Sequence, residues 1–467
     1  MTAPDNLHFL SAKELTHHYA SGELSPVDVT KAVFERIESD GANYNAFCLI
    51  DPESALASAR QSEQRWHRGE PCGLVDGIPT TIKDLVLTKG WPTLRGSRTT
   101  DPSGPWEEDA PSVDKLRKHG AVILGKTTTP EFGSKGVTEN LLTGSTKNAW
   151  NTLRTSGGSS GGAGTAAARG YGVLHIGTDG AGSVRIPASF GGVFGLKPTF
   201  GRVPVFPPSP LGTVSHVGPV TRSVDDAARM MSVMTEPDER DWHALPYNAC
   251  AYHEELEKSL DGITIAYSKD LGFADVDPQV ASACQKAVKR FEEVGAQVEE
   301  IDGPLDEDPV WITDRLWFAA FLRITETLNE DQIALMDPLL IDMLERARAM
   351  NVFELLDAHR AREDMALKLC NVHRKYDLLV TPTMPITAFE AGPYNPWNSH
   401  KPEDWIRWSS FTYPFNLSQQ PASSCPCGFD DDGLPVGLQI VGPKYADHLV
   451  LQGSKAFEKL APFQLPP

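Results

Sequence analysis

Two stretches of small residues constrain this chain more than any other feature. The first is Ser156-Gly-Gly-Ser-Ser-Gly-Gly162; the second, past an alanine run and an apolar strand, is Gly177-Thr-Asp-Gly-Ala-Gly-Ser-Val-Arg-Ile-Pro-Ala188. Glycine removes the Cβ barrier to close backbone approach, so the N–H groups of such turns can converge on an anion or a reacting atom. Ser159, Ser160 and Ser183 stand inside these turns. The pattern reads as catalytic, with the rest of the chain as its support.

Two familiar spellings fail on context. Gly157-Gly-Ser159-Ser-Gly161 matches a nucleophile elbow, which needs an apolar strand immediately before it. The preceding Asn148-Ala-Trp-Asn-Thr-Leu-Arg-Thr155 is polar and turn-rich. Gly120-Ala-Val-Ile-Leu-Gly125-Lys126-Thr127 matches a phosphate loop, yet an apolar strand fills its variable positions and Thr127-Thr-Thr-Pro130 follows in place of a helix. A flexible Gly/Ser linker is disfavoured because Ala163 to Ala168 continues as a small-residue helix suited to close packing.

The strand that does lead into a glycine turn is Tyr171 to Ile176, followed by Thr178-Asp-Gly-Ala-Gly-Ser183 and a helix start. Such a turn supplies the donors of an oxyanion hole, with the Ser183 hydroxyl placed to attack a carbonyl held there. Upstream, Gly73 to Asp84 turns at Gly77 and Pro79 and enters a short apolar strand carrying Lys83. From the residues alone Lys83 is either a core lysine paired with a carboxylate such as Asp84 or a deprotonated base. Asp179 and Arg185 flank Ser183, and an ion pair that shapes the loop is expected.

At 467 residues, with 40% hydrophobic and 22% charged, the chain can bury a large core. Its net charge of −19 argues against binding nucleic acid or anionic membranes. The N-terminus lacks a signal-peptide pattern and no run reaches the roughly 18 apolar residues of a membrane span, so a cytoplasmic chain is expected. The seven scattered cysteines suit reduced thiols, with Cys425-Pro-Cys427 reading as a loop and no metal site.

In order, Ser11 to Ser21, Ser25 to Ser39 and Pro52 to Arg68 read as helices, then Ser112 to His119. Downstream, Ser223 to Val233 and Val280 to Val294 read as helices, and Ile263 to Tyr267, Ala296 to Ile301, Tyr376 to Val380 and Val436 to Val441 as strands. This alternation predicts an α/β fold: a single large α/β/α sandwich around a twisted mixed β-sheet, residues 1–467, with N-terminal helices and a helical insertion. The core motifs span about 73–222 and a helical pocket-forming region about 305–370. Its aromatics Trp311, Trp317, Phe318 and Phe321 read either as core or as lining of an acyl or aryl pocket. Pro385 to Asp404 is a Pro/Trp-rich loop expected over the entrance.

The chain resembles the amidase signature family over nearly its whole length. The matching pieces are Gly77-Ile-Pro79 with Ile82-Lys-Asp84, Gly125-Lys-Thr127 with Pro130-Glu-Phe132, the two glycine–serine stretches, Gly195-Leu-Lys-Pro-Thr199, Gly218-Pro219 with Arg222, and Gly433-Leu-Pro-Val-Gly-Leu-Gln439. The resemblance implies a Ser-Ser-Lys triad, with Ser183 as nucleophile, Ser159 as bridging serine after a cis peptide 24 residues earlier, and Lys83 as base. It implies oxyanion donors from Gly180, Ala181 and Gly182 together with Ser183, and substrate contacts at Thr128, Thr129 and Phe132. The implied reaction is hydrolysis of a small-molecule amide, aryl or acyl-anilide substrates included, without cofactor or metal. Neither nucleic acid nor membrane is implied as a partner; a homodimer is one open arrangement. The other branch implied is the glutamine-hydrolysing component of a tRNA-dependent amidotransferase, whose tyrosine-rich segment has no counterpart between Val310 and Met350.

Overall fold

The computed structural model describes residues 6–399 and 402–467, so the first five residues of the N-terminal reading lie outside it. Its backbone is one 11-stranded mixed sheet, with a separate two-stranded pair. The strands in chain order are β1 (Phe47–Ile50), β2 (Pro79–Lys83), β3 (Val122–Thr127), the small pair β4 (Glu139–Asn140) and β5 (Gly144–Ser145), β6 (Leu174–Asp179), β7 (Phe194–Lys197) and β8 (His216–Thr221). Then come β9 (Thr264–Tyr267), β10 (Gln297–Glu300), β11 (Leu378–Pro382), β12 (Ala422–Phe429) and β13 (Pro435–Val441). The order of the large sheet is β1-β3-β2-β6-β8-β7-β12-β13-β11-β9-β10.

Every residue of β2, β3 and β13 is buried, as strands covered on both faces must be. Period-2 alternation divides β3 between two cores: Ile123 faces one, Val122 and Leu124 the other. On the first side Val224–Met234, Pro278–Lys289 and Asp447–Leu460 pack against Ile176, Leu196 and Leu438. On the opposite side Gly161–Arg169 packs its alanines against Val184, Ala188 and Val220, small residues that let backbones approach closely. The expected α/β/α layering is present.

Side-chain caps start several helices where their sequences place them. Ser11 and Glu14 form a reciprocal capping box, Ser25 caps a helix with Pro26 in its first turn, and Ser223 caps Val224–Met234. The segment 310–369 breaks into Val310–Thr325, Glu330–Ile333, Pro338–Ala349 and Val352–Val372, with Asn329, Asp337 and Asn351 as caps.

Three readings need correction. The strand expected from Tyr171 begins at Leu174, because Gly170 and Gly172 turn the chain at φ +74° and +130° after the preceding helix. Beyond Lys289 the α-helix of 280–294 tightens into a 3-10 turn, Arg290–Val294, closed by Gly295. Cys425 and Cys427 sit in β12 and not in a loop; the strand tolerates Pro426 because its pairing slips there in a bulge.

Candidate active site

Strands β3, β2 and β6 run parallel, so their carboxyl ends lie together at one edge of the sheet. Ligand crevices of α/β sheets form at such edges. Lys83 ends β2, and the Asp179-to-Ser183 turn leaves β6.

Lys83 is fully buried, and its Nζ donates to Ser159 Oγ at 2.7 Å, Ser160 Oγ at 2.9 Å and Thr178 Oγ1 at 2.9 Å. Among the described residues no carboxylate pairs with it. Asp84, its neighbour and the alternative partner in the sequence, pairs instead with Lys126 at 3.2 Å. Burial drives the Lys83 amine well below its ordinary pKa of 10.5, against a weaker opposing pull from the charge of Asp179. The site therefore holds, against two serines, an amine whose charged form burial disfavours.

Ser159 follows a cis Gly158–Ser159 peptide and sits just ahead of the helix Gly161–Arg169. Its neighbours must be glycine: a Cβ on Gly158 would meet the backbone of Val137 at 2.7 Å, and one on Gly162 the Thr128 N at 2.5 Å. Ser160 joins the two loops. Its N–H donates to Ser183 O, and its hydroxyl donates to Thr178 O while accepting the Thr178 N–H.

The Ser183 loop is organised from behind by Asp179. This fully buried carboxylate accepts from Gly182 N at 2.7 Å, Val184 N at 3.2 Å, Arg185 Nε and Nη2 at 3.0 Å each, and Asn416 Nδ2 at 2.9 Å. Burial alone would raise its pKa, but Arg185 outweighs that and holds Asp179 well below the usual carboxylate range. Arg185 in turn donates to Thr412 O, Asn416 Oδ1 and Gln439 Oε1, tying the loop to β13 and to the helix Tyr413–Leu417.

This network corrects part of the donor set. The Gly182 N–H points back to Asp179, because Gly182 adopts φ +124°, and is spent on the loop. Among the described residues the N–H groups of Gly180, Ala181 and Ser183 have no protein acceptor. Sequence reasoning misses Asn416 and Thr412, since nothing local links them to Asp179 and Arg185. The stretch from Asn416 lines no part of the cavity that Ser183 faces; Asn416 instead braces the turn from beneath.

Ser159, Thr178, Gly180 and Ser183 form the floor of a cavity of about 510 Å³. Its walls are largely apolar: Phe132, the loop Pro204 to Leu211, and Trp317, Phe321, Ile324 and Leu328 of the helical region. Of the four aromatics considered, Trp317 and Phe321 reach the cavity, while Phe318 and Trp311 pack into cores. Phe132 lines it. Thr128 and Thr129 do not: both are buried, and the Thr128 hydroxyl is turned away toward Ala46 O and Thr146. The loop 385–404, of which 400 and 401 lie outside the described residues, lines a different cavity with Asp308 and Arg407. The cavity is lined instead by Pro204-Val-Phe-Pro-Pro-Ser-Pro210, whose proline density is the available signal.

A helix-flanked mixed sheet that presents a buried lysine to neighbouring serines has the elements of a hydrolase, and the relatives give its class as amide-hydrolysing. The chain belongs to the amidase signature family: the model described as Amidase matches residues 28–451. It is 36% identical over 463 residues to an acylamidase of Rhodococcus erythropolis, covering 98% of this chain and 97% of that one. It is 32% identical to a glutamyl-tRNA(Gln) amidotransferase component of a Cyanothece species, with 97% and 98% covered. Among solved structures, a bacterial aryl acylamidase superposes with a TM-score of 0.91 at 29% identity, covering 98% and 97% of the two chains. No helix among the described residues is long and apolar enough to cross a membrane.

Proposed function

We propose that this chain is a self-sufficient serine amidase acting on a small-molecule amide, aryl amides and acyl anilides being the class its cavity favours. The observation that carries this reading is the buried Lys83 amine, without a carboxylate partner among the described residues, 2.7 Å from Ser159 Oγ on a cavity floor shared with Ser183. Ser183 Oγ attacks the amide carbonyl as its proton passes through Ser159 to the neutral Lys83. The N–H groups of Gly180, Ala181 and Ser183 receive the oxyanion. Return of the proton to the departing nitrogen releases the amine and leaves an acyl-enzyme on Ser183, which water hydrolyses to the carboxylate. Side chains, backbone and water carry each of these steps.

The apolar walls fit an aryl or alkyl group. A glutaminase role, suggested by the amidotransferase relatives, requires a place for the substrate's α-ammonium, and among the described residues no Asp or Glu lines the cavity. Release of 4-nitroaniline from a panel of acyl 4-nitroanilides tests the proposal. Turnover by the purified chain, reduced at least about 10⁴-fold in Ser183→Ala, is the expected result. Glutamine hydrolysis that appears only with added partner proteins would transfer the chain to the amidotransferase branch.

A further inference from the structure

The catalytic cavity contains a cation without an ion-pair partner among the described residues. Arg95 lines it beside Phe132, and its backbone is clamped on three sides: the Leu94 and Gly96 N–H groups donate to Asp84, and Arg95 O accepts the Phe132 N–H at 2.8 Å. Among the described residues its guanidinium has neither hydrogen-bond acceptor nor ion-pair partner. Burial works against its charge, and Asp84, the carboxylate that favours it, is already taken by Lys126. A second cation at the cavity, Arg323, is 76% exposed and paired with Glu326. No Asp or Glu among the described residues lines the space.

We propose that Arg95 is a specificity residue that receives a carboxylate on the substrate, so that the preferred amides are anionic ones with an apolar body. The inference rests on the amidase reading and narrows it. A guanidinium offers a planar fork matched to a carboxylate, and one desolvated by apolar walls gains more from such a partner than it would in water. The net charge of −19 repels anions at long range, so an anion preference has to arise locally.

Two pairs, each an acid against an uncharged analogue, test this, one for each side of the scissile bond. They are succinyl against pentanoyl 4-nitroanilide, and 4-acetamidobenzoate against 4-methylacetanilide. In at least one pair kcat/KM should favour the acid by about 10- to 100-fold, the range of a hydrogen-bonded charge pair. That ratio should collapse in Arg95→Gln and partly survive in Arg95→Lys. Calorimetric binding of the same compounds to Ser183→Ala reports on Arg95 independently of turnover. Equal affinities within both pairs, or a preference unmoved by Arg95→Gln, would overturn the inference. A preference that persists in binding while no amide is cleaved by the unsubstituted chain would instead sink the amidase reading and leave the carboxylate site standing.

Discussion

The floor and the walls of the one cavity are built on opposite principles. The floor is polar, backbone-rich and enclosed: Asp179 alone gathers five donors, and Lys83 three oxygens. The wall from the helical region is held by apolar packing of Trp317, Phe321, Leu340, Met343, Leu344 and Trp405, with Trp317 Nε1 donating to Ser134 O as a polar tie. Directional bonds between buried charges tolerate almost no displacement. Apolar contacts tolerate exchange of shape at constant volume. The difference teaches that chemistry and substrate choice can vary separately in this architecture.

Substitutions can break that contrast. The largest effect is expected at Lys83. Lys83→Met should lower kcat by about 10⁴-fold while the chain stays folded, since an apolar side chain replaces an amine whose charge burial already disfavours. The pH dependence sharpens the point. With its pKa depressed by burial, Lys83 loses its proton well below 10.5, so the rate should rise with pH along an acid limb and then level off. Between that depressed pKa and the ordinary lysine value the unfolded chain binds a proton that the folded chain does not. Stability should therefore rise with pH across that window, and Lys83→Met should reduce the slope of Tm against pH there. A Lys83→Met chain that keeps the acid limb would contradict the assignment.

Asp179→Asn should come next. It leaves Arg185 buried without its counter-charge and should cost about 3–5 kcal/mol in denaturant unfolding. kcat should fall with stability, because the Ser183 loop loses the carboxylate that holds Gly182 and Val184. A variant as stable as the parent would show the floor to be less tightly specified than its bonds suggest. The smallest effect belongs to the wall. Phe321→Leu should cost under about 1.5 kcal/mol and reorder KM across a series of acyl anilides, leaving kcat on the smallest within a few-fold. A kcat loss as large as that of Asp179→Asn would erase the distinction between the two regions.

Legibility in the sequence follows the same division. The glycine turns point to Ser183 and the family resemblance to Lys83 and Ser159, and the structure brings Lys83 onto Ser159 and places both serines on one cavity floor. Glycine turns are readable because only glycine admits their conformations and close approaches. The Gly182 N–H escapes such a reading, since local spacing gives no sign that Asp179 folds back on its own loop. Thr128 and Thr129 fail as cavity residues for a related reason: a motif marks a segment near the site without saying which way its side chains turn.

What the sequence by itself determined is the α/β layering, the caps, the burial of Lys83 in a short strand and the small-residue turns that carry the two serines. These depend on residues within a few positions of one another. The tertiary structure alone decided that Asn416 and Gln439 brace Arg185, that Pro204 to Leu211 lines the cavity in place of 385–404, and that the Arg95 guanidinium is left without a partner among the described residues. Each of these joins residues far apart in the chain, and only the packing of the whole sheet and its helices sets which charges meet and which remain open.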